Sequence, residues 1–284
     1  MQRYRCKNCG YVYQNKRRVS DDKLWQKYVY GKQTYNQLAE CEGQSRSTIQ
    51  RRLDSVMIKS NDQQDISGKA IILMDTTYFR RTFGLMIWRD WISKKNLLRK
   101  YVEYETIEAY KNGIKHLQRL GCQIVGIVCD GRRGLLGGFP GIPTQMCQFH
   151  QVQIVTRYIT SRPKLEAGKE LKELVKKLVQ TDKASFTAWL NRWYDKWSIF
   201  LREKSFNPLT EKSIYTHRRL RSAYQSLRRN LPYLFTYEEY FDLGIPNTTN
   251  GLEGTFADLK NKLRVHNGLN QKRKMKMIDT LIFD

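Results

Sequence analysis

The chain has 284 residues, with 51 Lys and Arg against 27 Asp and Glu and a formal net charge of +24. That length admits one large domain with small attachments, and that charge calls for a densely negative partner, nucleic acid before a membrane surface. With 40% hydrophobic and 12% aromatic residues the chain is no disordered polycation. Without a signal-peptide pattern or an apolar run near the ~20 residues a spanning helix needs, it is expected to be soluble, cytoplasmic and free of the membrane.

The first stretch, "RYRCKNCGYVYQNKRR", carries Cys6-x-x-Cys9 ahead of alternating Tyr11, Val12 and Tyr13, as in one hairpin of a zinc ribbon. Four ligands make a tetrahedral zinc site, so these two cysteines form a half-site, the missing pair is expected upstream of Met1, and residues 1–20 are expected to be loosely ordered. The remaining cysteines are scattered and read as buried thiols in a reducing compartment. Residues 21–60 hold a helix-turn-helix pattern: Tyr35, Leu38 and Ala39 share one face, Gly43 stops the first helix, and Ser45 or Ser47 caps the second. The second helix turns Ile49 and Leu53 inward and Arg46, Thr48, Gln50, Arg51 and Arg52 outward, as major-groove reading requires.

A polar linker covers residues 60–67, and a new domain opens on "KAIILMDTTYF", where the apolar run Ile71–Met74 reads as a buried strand ending at Asp75. Two further strands are expected in "TFGLMIWRDW" and "LLRKYVEYE". An amphipathic helix follows, with Ile107, Tyr110, Ile114 and Leu117 on one face and a stop at Gly121. "CQIVGIVCDG" then gives a fourth strand ending at Asp130. This order predicts an α/β fold, a mixed sheet flanked by helices, over 69–163 and resuming over 246–284. Residues 164–245 read as an all-helical insertion, Trp-rich and then basic, with Arg218 and Arg221 among its DNA-facing cations.

Hard divalent cations of the Mg²⁺ or Mn²⁺ type need convergent carboxylates. Strand ends are rigid mounts for Asp75 and Asp130, and in "NGLEGTFADLKNKL" a helical stripe of Leu252, Phe256 and Leu259 leaves Glu253 at its rim to complete the set. Asp258 points elsewhere on that helix and reads as solvated.

"MDTTYF", "CDGRRGL", "CQFHQVQIV" and "NTTNGLEGTFADLKNKLRVHNGL" resemble the mutator-type bacterial insertion-sequence transposases, and the front of the chain is similar to that of a zinc-binding variant of the group. The resemblance implies a ribonuclease-H-like fold and a metal-binding catalytic triad of Asp75, Asp130 and Glu253. It also implies that Cys147 and His150 are the family's C-x-x-H signature. The activity so implied is transposon-end cleavage and strand transfer by a nucleoid-associated homo-oligomer holding Mg²⁺ or Mn²⁺, with Zn²⁺ where the ribbon is complete. An inactive transposase-derived DNA-binding protein and a metal-dependent structure-specific nuclease are the alternatives.

Overall fold

The computed structural model describes residues 3–13, 19–58, 68–80, 82–208, 211–266 and 268–283. The linker expected over 60–67 lies outside them. The chain divides into two compact units, one of Met1–Gln63 with Ala257–Asp284 and one of Gln64–Phe256.

In the first unit, strands β1 (Tyr4–Arg5) and β2 (Val12–Tyr13) form an antiparallel pair whose connection carries Cys6 and Cys9. Gly10 sits at φ 70°, in the left-handed region that lets the backbone turn there. Helices α1 (Asp21–Val29), α2 (Tyr35–Glu42) and α3 (Arg46–Ser55) follow. The local chemistry dictates the α2–α3 corner. Thr34 and Gln37 form a capping box, Gly43 ends α2 in the left-handed conformation, and Ser45 caps α3 by accepting from the Thr48 amide at 3.2 Å. Leu24, Val29, Leu38, Ile49 and Leu53 supply the buried faces of the three helices.

The second unit is built on a five-stranded mixed sheet: β3 (Gly68–Phe79), β4 (Phe83–Asp90), β5 (Asn96–Val102), β6 (Cys122–Cys129) and β7 (Thr144–Met146), in the order β5-β4-β3-β6-β7. β4 runs antiparallel to β3 and β5, whereas β6 and β7 run parallel to β3. Between β5 and β6, α4 (Ile107–Arg119) is capped by Thr106 and buries Tyr110, Ile114 and Leu117. A Cβ on Gly113 would come within 2.2 Å of the fully buried Trp88 ring, so glycine sets how closely α4 meets the sheet.

After β7 come α5 (Gln148–Ile159), α6 (Glu166–Lys176) and the 20-residue α7 (Lys183–Arg202). The segment is not all helix. Residues Lys204–Asn207 (β8) and Lys212–Tyr215 (β9) pair as an antiparallel hairpin before α8 (Arg218–Leu234) and the short α9 (Thr236–Glu239). At four residues each, and without alternation in Lys212–Tyr215, these strands carry little sequence signal, and a reading keyed to the helices on either side passes over them.

A buried polar network seats α8. Gln148 donates to the Leu234 carbonyl at 2.8 Å, Asn230 to Gln151 at 2.7 Å and Gln151 to Ser226 at 3.1 Å, while Thr236 donates to the Thr144 carbonyl at 2.9 Å. Each group would be costly to bury unpaired, so the network defines one docking position.

The chain ends with α10 (Asn250–Val265) and α11 (Gln271–Phe283). The sequence division assigns 246–284 entirely to the sheet domain, but in the structure Ala257–Asp284 cluster with the N-terminal helices. Three contacts explain the grouping. Trp25 donates to Thr280 at 3.0 Å, the Arg273 guanidinium forks onto both Asp54 oxygens at 2.8 and 2.7 Å, and the Lys276 ammonium meets the Leu53 and Asp54 carbonyls at the end of α3.

Candidate active site

Asp75 does not end its strand: β3 continues to Phe79, and Asp75 is paired across to Ile87 of β4. Pairing with β6, however, ends at Leu73 and Val128. Asp75 therefore lies beyond the parallel half of the ladder, on the edge where β6 gives out and Asp130 follows. One Asp75 oxygen is fixed by the Thr76 amide at 2.8 Å, and one Asp130 oxygen by the Arg132 amide at 3.2 Å.

Glu253 arrives by a different route. The Cys147 thiol, at the start of α5, accepts from the Thr249 amide at 3.3 Å and its hydroxyl at 3.2 Å, and the Gln148 amide donates to the Asn247 carbonyl at 2.9 Å. These bonds staple the turn before α10 onto the start of α5. Glu253, in the first turn of α10, then faces His150, with Oε1 at 3.8 Å from Nε2. Among the described residues, Cys147, His150 and Glu253 are the group whose ligand atoms all lie within 4.8 Å of one another.

The charges of these residues are coupled. Burial raises the Asp75 carboxyl to about 6, against a lowering pull from His150 and the Thr76 amide; Asp130 and Glu253 add to the rise. Burial also raises Glu253, while His150 lowers it. For His150, burial works against the charged form, but the Cys147 hydrogen bond and charge, Asp75 and Glu253 outweigh it and hold the ring up at about 9. Burial alone would push the Cys147 thiol up, yet His150 and Thr249 bring it below its ordinary range. His150 is thus the cation among the acids. Its Nδ1 and Glu253 Oε1 are buried without a hydrogen-bond partner.

A brace beside these acids eluded sequence reasoning. Tyr110 donates to Glu105 at 2.6 Å and is bonded to Thr76 at 2.8 Å, and Arg132 pairs with Glu105 at 2.5 Å. Arg132 and Thr249 both fall in the quoted motifs "CDGRRGL" and "NTTNGLEG", which was the available signal.

Two cation chemistries are on offer. Asp75, Asp130 and Glu253 are donors of the kind a hard Mg²⁺-type ion takes, but Asp75 and Asp130 are not in the group whose ligand atoms lie within 4.8 Å of one another; the thiol, imidazole and carboxylate of that group, Cys147, His150 and Glu253, are donors of the kind zinc prefers. Cys6 and Cys9 are different: among the described residues no third ligand groups with them, so by themselves they do not fit a four-ligand zinc.

The expected DNA-contacting residues divide. Arg46 and Arg51 are exposed on α3, and Arg218 is exposed at the start of α8. Arg221 lies 4.0 Å over the Tyr215 ring. Arg52, expected to face DNA, is instead an internal brace that donates to Asp21 at 2.7 Å, to Gln44 at 3.1 Å and to the Val19 carbonyl. Gln50 is half-buried against the Arg273 guanidinium. The Thr48 hydroxyl is bonded to Ser45 within the cap of α3.

No protein-family model matches the sequence, and neither does any curated protein. Among solved structures, the chain is similar to the Drosophila P element transposase strand transfer complex, at 15% identity, with 90% of this chain and 66% of that chain covered and a TM-score of 0.34. It is also similar to the simian T-cell lymphotropic virus intasome in complex with PP2A regulatory subunit B56 gamma, at 13% identity, with 73% and 66% covered and a TM-score of 0.24. The chain thus spans just under two thirds of the length of each, and likeness at this level assigns no function. Among the described residues, no helix is long and apolar enough to cross a membrane.

Proposed function

We propose that the chain is a DNA transposase that hydrolyses a phosphodiester at its element's ends and directs the freed 3′-hydroxyl into target DNA. The observation that supports this reading is the electrostatic coupling of Asp75, on β3, to Asp130 after β6, to Glu253 on α10 and to His150 on α5. A bound Mg²⁺- or Mn²⁺-type ion, held by these three carboxylates, would polarise the phosphate and lower the pKa of the attacking oxygen.

The chain's own groups prepare that site. The Thr76 and Arg132 amides fix the two aspartates, and the Tyr110–Glu105–Arg132 brace holds the loop after Asp130. His150, kept charged beside Cys147, offsets the repulsion among the acids while the third carboxylate is held in place. Exposed Arg46 and Arg51 on α3 and Arg218 on α8 are suited to DNA phosphates, and paired cutting of two ends calls for a homo-oligomer.

The test is strand cleavage of end DNA in Mg²⁺. Replacing Asp75, Asp130 or Glu253 by Ala is expected to abolish cleavage while end binding persists; a triple-alanine chain that still cleaves would refute the mechanism. A structure-specific nuclease would share these carboxylates, and stronger binding to branched DNA than to terminal repeats would favour it.

A further inference from the structure

Immediately after Asp130 the loop from Gly131 to Gly137 forms one wall of an open cavity of about 780 Å³, flanked by α5 and α8. Arg132, Arg133, Arg157, Arg219 and Arg229 line it, and no acidic residue does. Two of these are already engaged: Arg132 pairs with Glu105, and Arg219 donates to the Arg157 carbonyl at 2.7 Å. The guanidiniums of Arg133, Arg157 and Arg229 have no hydrogen-bond or ion-pair partner among the described residues. Three guanidiniums around one hollow that no described group of the protein answers are arranged for an anion.

The rest of the lining narrows the choice. Leu136 and Ile154 give apolar surface, and Tyr158 and Tyr233 present aromatic rings beside the guanidiniums. A flat heterocycle against tyrosine and a phosphate on arginine is the pairing by which single-stranded nucleic acid is held. The volume lies within the ~300–1,000 Å³ of sites that take small ligands, which suits one nucleotide. The walls are preset. The Gln151–Ser226 and Gln151–Asn230 bonds fix α5 to α8, and a Cβ on Gly131 would come within 2.1 Å of Met146, so the loop lies close against β7.

We infer that this cavity receives one unpaired nucleotide of a DNA strand, its phosphates on Arg133, Arg157 and Arg229 and its base against Tyr158 or Tyr233. The next phosphodiester of that strand then lies at Asp130, which rests on the transposase reading; the binding itself does not.

The experiment measures, by fluorescence anisotropy with the full chain and no divalent metal, the affinity for a short single strand, for a paired duplex and for the same duplex with one bulged nucleotide. The bulged duplex should bind roughly tenfold tighter than the paired one, because no pairing need be broken to fill the cavity. Arg157→Ala with Arg229→Ala should weaken the single strand and the bulge by about 100-fold and remove that preference. Tyr233→Ala should reduce the preference and leave the salt dependence unchanged; thermal melts verify that each variant is folded. Equal binding of bulged and paired DNA by the unaltered chain, or an equal loss for both in the arginine variant, would overturn the proposal. So would tight binding of free deoxyadenosine monophosphate that the single strand does not displace. Asp130→Asn separates the two readings: it should abolish cleavage and preserve the preference for bulged over paired DNA, so cleavage surviving in that variant would defeat the transposase reading alone.

Discussion

One peptide bond separates two opposite environments. Asp130 belongs to a set of acids held at the edge of the sheet, and Gly131 begins the wall of a hollow lined by five arginines. They leave charge unanswered in different ways. Asp75 and Glu253 are partly withdrawn from water beside one imidazolium, so burial strains them; Arg133, Arg157 and Arg229 are exposed to water. Deleting an acid should therefore relieve the fold and end the chemistry, whereas deleting an arginine should leave the fold alone and weaken the hold on DNA.

The largest expected effect tests the chemistry on both sides. With saturating DNA, Asp130→Asn should lower single-turnover cleavage by roughly 10³-fold. Arg157→Ala with Arg229→Ala should lower it far less, because saturating DNA restores occupancy and leaves only the seating of the strand impaired. Equal loss in both would erase the distinction.

Stability should move the other way. At pH 7 without metal, Asp75→Asn should stabilise the chain by about 1–3 kcal/mol, because a carboxylate held up at about 6 gives way to a neutral amide. Arg229→Ala should stay within about 0.5 kcal/mol of the unaltered chain. Denaturant unfolding followed by fluorescence reads both.

A pH series sharpens the first of these. A carboxyl raised from 3.8 to about 6 binds its proton more tightly when folded, so its contribution falls as pH rises through that window. The advantage of Asp75→Asn in melting temperature should accordingly be absent near pH 4, grow between pH 4 and 6, and level off above. His150, raised to about 9, contributes stability that is complete below 6.5 and lost as pH rises through 9, while the lowered Cys147 thiol works in the opposite sense, so this pair offsets itself. The smallest effect calibrates the rest: the exposed fork between Arg273 and Asp54 should contribute less than about 1 kcal/mol when Arg273 becomes Ala.

Local pattern made much of this legible. Apolar runs announced the strands around Asp75 and Asp130, and capping residues announced α2 and α3. The quoted motifs contained Cys147, His150 and Glu253. Long-range pairing was not legible. Nothing in the spacing says that Thr249 bonds Cys147 and so turns Glu253 toward His150, since those residues are about a hundred positions apart. Arg52 misled for a related reason: a helical wheel gives direction, but Asp21 and Gln44 come from outside the helix and claim the guanidinium. The hairpin of β8 and β9 was hidden by its brevity, and the partnership of Ala257–Asp284 with the N-terminal helices by distance along the chain.

The staple between Thr249 and Cys147 also bears on the order of synthesis. Asp75 and Asp130 leave the ribosome first, and Glu253 and the bonds that orient it follow only after the whole helical segment. A chain stopped before Thr249 thus carries two of the acids and no complete set.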